Sequence, residues 1–130
     1  MAIGGTGERG SASVEFALVL PLVLLMCLAL LQVGLLVKDQ LVVQGAARAG
    51  AREGAVSVDD AQVRQAAVDA AVDIDPALVD VLVAREGGAG TAVTVTVTYH
   101  APIVVPLVSW LFPDTVDLSA GAVMRQETDG

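Results

Sequence analysis

Residues 16–37, FALVLPLVLLMCLALLQVGLLV, form an apolar run of 22 positions without a charge. At 1.5 Å per residue a helix of that length reaches about 33 Å, slightly more than the ~30 Å hydrocarbon core of a bilayer. Its polar side chains are Gln32 and the thiol of Cys27. A core helix of a soluble protein carries a polar stripe, and this run has none. The pattern therefore predicts a membrane-spanning helix. Pro21 lies six residues into the run. Membrane helices tolerate proline, usually with a kink. That kink serves either packing or the bending of subunits during assembly.

The pattern changes after Lys38. Residues 38–55 remain helix-compatible but rich in Gly and Ala, with Gly45/Ala49, Ala46/Gly50 and Gly50/Gly54 at spacing four. Small residues let helices approach closely. This face suits either neighbouring subunits or the chain's own sheet. Ser57, with Asp60 three residues on, reads as a capping-box variant opening a helix over about 58–73. Gln62, Gln65, Asp69 and Asp73 would form its wet face, with Ala61, Val68 and Val72 inward. Pro76 ends that segment.

Strand signals follow. Residues 79–85 alternate, Gly87–Gly90 read as a turn, and residues 91–100 alternate strictly between Val/Tyr and Thr. A third alternating run covers about 116–125. Between the last two strands, residues 101–113 (APIVVPLVSWLFP) are apolar and hold three prolines. That excludes a central strand, and the segment is too short and broken to cross a bilayer. It reads as a cap on a small core, as a subunit contact through Trp110 and Phe112, or as a lipid contact. The expected fold class is α+β: a long N-terminal transmembrane helix, then a small domain with a helix packed on a three-stranded antiparallel sheet.

Composition reconciles two otherwise discordant numbers. Over 130 residues the chain is 55% hydrophobic, with a net charge of −8. Residues 39–130 carry 5 basic and 13 acidic side chains and hold all of that charge. An acidic head argues against nucleic-acid binding, which needs clustered Lys and Arg. One Cys and one His exclude a disulfide framework and leave little for metal or His-based chemistry. No nucleophile motif, P-loop or dinucleotide fingerprint occurs. The acidic pairs lack calcium-loop spacing. The expectation is a non-enzyme without cofactor or metal.

The N-terminus is unlike an ordinary secretory signal. The apolar run is too long, no A-x-A-like site follows promptly, and Glu15 stands where Lys or Arg is favoured. The string RGSASVEFALVLP instead resembles the cleavage motif of type IV prepilins: a glycine, a cut after it, glutamate at mature position five, then an apolar helix. The resemblance implies a leader over residues 1–10, cut between Gly10 and Ser11 by an aspartic membrane protease, the prepilin peptidase. A transmembrane helix over 11–38 and an extracytoplasmic head over 39–130 would follow. It also implies that Glu15 acts in assembly by meeting the free amine of a neighbouring subunit. A lone carboxylate at a membrane helix is expensive, and pairing turns it into a register device. The alternative is a plain interfacial carboxylate.

The fuller string GSASVEFALVLPLVLL, followed by QGAARAGARE, resembles the TadE-like minor pilins of tight-adherence (Flp-type) pilus systems. That family has a short leader, Phe after the glutamate (here Phe16), a proline in the span (here Pro21) and an A-A-R-x-A-A-R-like string (here 46–52). Major Flp pilins are shorter and usually carry Tyr where this chain has Phe16. The likeness implies a type IV pilin-like subunit in the cytoplasmic (inner) membrane. It would be assembled with other pilins and the assembly platform into, or at the base or tip of, a pilus for adhesion or secretion. The alternative function is an unprocessed single-span anchor with a small binding head. Basic residues near the span, Arg9 on one side and Lys38, Arg48 and Arg52 on the other, favour the reverse topology by count.

Overall fold

The computed structural model describes residues 5–105 and 107–127, with the backbone alone for 5–9. Positions 1–4 of the expected leader, Pro106 of the apolar segment and positions 128–130 lie outside the described residues. The element order is α1 (Gly5–Val56), α2 (Asp60–Ala70), β1 (Val79–Arg85), β2 (Ala92–Pro102) and β3 (Thr115–Arg125), with short 3₁₀ turns at Pro76–Leu78 and Ser109–Leu111. The fold is α+β, a long apolar N-terminal helix leading into a small helix-and-sheet head, as expected.

Helix α1 runs without a break through Pro21 and through the end of the apolar run. Its two halves meet different surroundings. Nearly every residue from Gly10 to Gly34 is exposed or half-buried, and Gln32 alone is buried. From position 43 the helix packs: Val43, Ala46, Ala47 and Ala51 are fully buried. They lie in one core cluster with Val63 and Ala67 of α2 and Val93, Val95, Val97, Tyr99 and Ala101 of β2.

The sheet order is β1-β2-β3, antiparallel throughout. Strict alternation in β2 sends Val93, Val95, Val97 and Tyr99 inward. A fully buried valine contributes about 1.5–3 kcal/mol relative to an exposed one. Thr94, Thr96 and Thr98 occupy the opposite, solvated face, beside Ser119 and Gly121 of β3. At the hairpin, Gly90 takes φ 87°, a left-handed conformation that glycine adopts freely.

Close packing explains Gly50 and Gly54 of α1. A Cβ on Gly50 would lie 2.9 Å from Val95 Cγ1 and 3.2 Å from Ala67 Cβ, and one on Gly54 would lie 3.1 Å from Val93 Cγ2. The Gly50/Gly54 face therefore packs on the chain's own sheet and on α2. A Cβ on Gly45 would meet nothing within 4 Å.

Helix α2 departs from its sequence expectation. Its N-cap is Asp59, whose carboxylate accepts from Ala61 N at 2.9 Å. Ser57 instead accepts from Asp59 N and donates to Gln62 Oε1. The helix closes at Ala70, because Asp73 turns the chain at φ 62° and Asp75 caps the following 3₁₀ turn. Val63 and Ala67 form the buried face, while Ala61 and Val72 are exposed. With α1 and the sheet meeting α2 from different sides, the inward stripe is rotated from the one its own periodicity implied.

Candidate functional site

The residues singled out near the N-terminus lie along one uninterrupted helix. Ser11 and Glu15 are four positions apart in α1. They therefore share a face, separated by about 6 Å along the axis. Gly10, Ser11 and Glu15 are exposed, and Phe16 is 67% exposed. Among the described residues, Glu15 has no hydrogen-bond or ion-pair partner. A Cβ on Gly10 would meet nothing within 4 Å. Every side chain from Ser11 to Leu24 is exposed, so this stretch is an apolar rod with a single carboxylate near its start.

Trp110 and Phe112 are not part of that stretch. They follow β2 in the apolar segment, where Trp110 is 72% exposed and Phe112 half-buried. The segment folds back on α1. Val104 N and Val105 N both donate to Gln32 Oε1, at 3.3 and 3.0 Å. Gln32 is 1% exposed, Val105 5% and Val108 0%. The segment thus covers the side of the apolar helix around Gln32, whereas the head core closes without Val105 or Val108.

Two clusters hold the head together. The Arg85 guanidinium donates to Asp60 Oδ1, Gly54 O, Ser57 O and Gln126 Oε1, all between 2.9 and 3.0 Å. It thereby ties the last carbonyls of α1 to the first turn of α2 and the end of β3. On the solvated sheet face, His100 Nδ1 meets Asp117 at 2.7 Å and Nε2 meets Asp80 at 2.8 Å. One ring bridges all three strands. Its hydrogen bonds to Asp117 and Asp80 raise its pKa above the ordinary 6.5. At the base of the head, burial raises the Asp39 pKa while Lys38 opposes the shift. Burial and the nearby carboxylates of Asp39 and Asp75 also raise that of Tyr99.

Gln32 and Arg85 are the residues whose importance the sequence reading missed. A signal for Gln32 was present: an amide in hydrocarbon demands a partner. For Arg85 there was none, since its four acceptors lie 25 to 41 positions away along the chain. The exposed Arg48 and Arg52 of the small-residue helix border open grooves between α1 and β3, one of about 300 Å³ that also involves Gln40, Gln44 and Ser119.

Residues 10–52 match the family model described as TadE-like protein. That segment begins at Gly10, includes Glu15, Phe16 and Pro21, and ends at Arg52, in the buried part of α1. No curated protein and no solved structure matches the chain.

Proposed function

The N-terminal part of this chain, roughly a third of its length, is TadE-like, and on that premise we propose that the protein is a minor pilin-type subunit of a tight-adherence pilus. A prepilin peptidase removes the leader after Gly10, and the new chain starts at Ser11. Helix α1 anchors the subunit in the inner membrane and later joins the helical core of a fibre, at its base, at its tip or along it. The fibre serves adhesion or secretion. The protein is a structural subunit and not a catalyst.

The observation that carries this reading is the exposed apolar rod with Glu15 one turn after Ser11. A rod whose side chains are all exposed from Ser11 to Leu24 calls for a bilayer or other helices. A carboxylate at its start is costly in either setting unless a cation meets it. The amine released at Ser11 is such a cation, four residues away in sequence and equally presented to a neighbour. Pro21 then lies where the helix bends between membrane and fibre.

The reading puts residues 39–130 outside the cytoplasm. Arg48 and Arg52, which weigh against that topology by count, belong to a folded head. Folded domains translocate largely regardless of charge.

Replacing Glu15 with Val tests the proposal. The variant should still be cut after Gly10 and accumulate in the membrane, but should fail to enter sheared pilus fractions. Wild-type incorporation of Glu15→Val would remove the assembly role. An unprocessed single-span anchor is the competing reading, and it predicts no change in any fraction.

A further inference from the structure

Four large apolar side chains crowd one exposed tip of the head. Val104 is 63% exposed, Leu107 61%, Trp110 72% and Leu111 52%. Residues 101–113 carry no charge, and Asp114 is the first ionisable side chain after them. The backbone reverses at Leu107, with φ 70°. On either side of it Val105 and Val108 are buried, while Val104, Leu107, Trp110 and Leu111 are exposed.

The hydrogen bonds to Gln32 determine where this tip lies. Gln32 belongs to the uncharged run and precedes its last residue, Val37, by five positions. In a helix that is about 7.5 Å below the end of the run. Lys38, Asp39 and Gln40 follow immediately, and they mark the level of the headgroups. Because Val104 N and Val105 N are bound to Gln32 Oε1, the tip sits at the depth of Gln32 wherever the span sits. Apolar elements lying in a membrane interface bury by about 5–10 Å, and tryptophan is enriched at that level.

We propose that the tip carrying Val104, Leu107, Trp110 and Leu111 forms a second membrane contact, a wedge in the lipid leaflet on the head side, held to the span by Gln32. The occupant of this apolar surface is lipid. The inference rests on the reading of α1 as a membrane span. Three things follow from the arrangement. The Gln32 acceptor is satisfied within hydrocarbon by backbone amides of its own chain. The head is fixed against the bilayer at two places, which restricts its swing about α1. A subunit leaving for a fibre must withdraw the wedge together with the span.

The chain supplies its own reporters, since Trp110 is its one tryptophan and Cys27, inside the span, its one cysteine. The full-length protein would be reconstituted in vesicles of phosphatidylethanolamine and phosphatidylglycerol, with an environment-sensitive fluorophore on Cys27. Trp110 emission should be blue-shifted and shielded from iodide. It should be quenched strongly by lipids brominated high on the acyl chain and weakly by those brominated near the methyl end. Dilution of the protein with more lipid should leave this unchanged. An apolar Cys27 signal with red-shifted, iodide-accessible Trp110 would overturn the wedge and leave the span standing. A polar Cys27 signal would overturn both. Loss of the blue shift on dilution would assign the tip to a second copy of the chain and overturn the lipid contact. Gln32→Leu keeps the span apolar but removes the acceptor. It should raise iodide access to Trp110 while the Cys27 signal stays apolar, and unchanged access would overturn the anchoring role of Gln32.

Discussion

Helix α1 is one continuous element with two contrasting halves. From Gly10 to Val37 its apolar side chains are large and outward, with Phe16, Leu18, Leu22 and Leu30 all more than 60% exposed. From Val43 to Ala55 its inward side chains are small and buried, with Ala46, Ala47 and Ala51 fully covered. Side-chain size accounts for the difference. Leucines on every face suit a surrounding that conforms to the helix, as lipid or interchangeable helices do. Alanine and glycine on one face suit a rigid partner that must come close, here the valine face of β2.

A pair of glycine substitutions breaks or sharpens that contrast most strongly. Gly50→Val forces a branched side chain into a space where even a Cβ would lie 2.9 Å from Val95. It should destabilise the head by about 3 kcal/mol, read by denaturant unfolding monitored at Tyr99. Gly34→Val, in the exposed half, meets nothing within 4 Å, and head stability should be unchanged. Equal effects at both positions would mean that the halves do not differ as described.

Next in size is Arg85→Met. The guanidinium joins the end of the buried half of α1 to α2 and β3, and hydrogen bonds to charged groups are worth about 1.5–3 kcal/mol. A loss of about 2 kcal/mol is expected in the same unfolding experiment, with the membrane-facing half unaffected. A loss below about 0.5 kcal/mol, the range of ordinary surface substitutions, would remove Arg85 as the tie.

The smallest effect is pH-dependent and confined to the head. The hydrogen bonds of His100 to Asp117 and Asp80 raise its folded-state pKa above the ordinary 6.5. Its stabilisation is complete below the unfolded pKa and is lost as pH rises through the raised folded value. The thermal midpoint of the head should fall across that window, and His100→Gln should remove this component of the slope. A ring titrating at or below its ordinary pKa by NMR would contradict the bridge.

Much of this contrast was legible in the sequence. Charge-free length identified the outward half of α1, and period-two alternation gave β1, β2 and β3 nearly to the residue, because both patterns are local. The small-residue run was readable as a close-packing face but left open what it packs on. Only the fold brings Val93 and Val95 to Gly54 and Gly50. The α2 cap was misread because Ser57, Asp59 and Asp60 are all good caps, and the contacts of Arg85 and Gln62 decide among them. The apolar segment was visible as an anomaly, but its place beside Gln32 was not. That contact joins positions more than seventy residues apart. For Gly10, Ser11 and Glu15 the sequence pattern and the TadE-like match carry the reading, and the structure adds that all three are exposed and that Ser11 and Glu15 share a helix face.

The central claim is that the chain is a processed pilin-type subunit, and the mass of the mature protein tests it most directly. Protein purified from membranes of a strain with active prepilin peptidase should begin at Ser11, and replacing Gly10 should restore the longer chain. A wild-type chain beginning at Met1 or Ala2 in that strain would contradict the account.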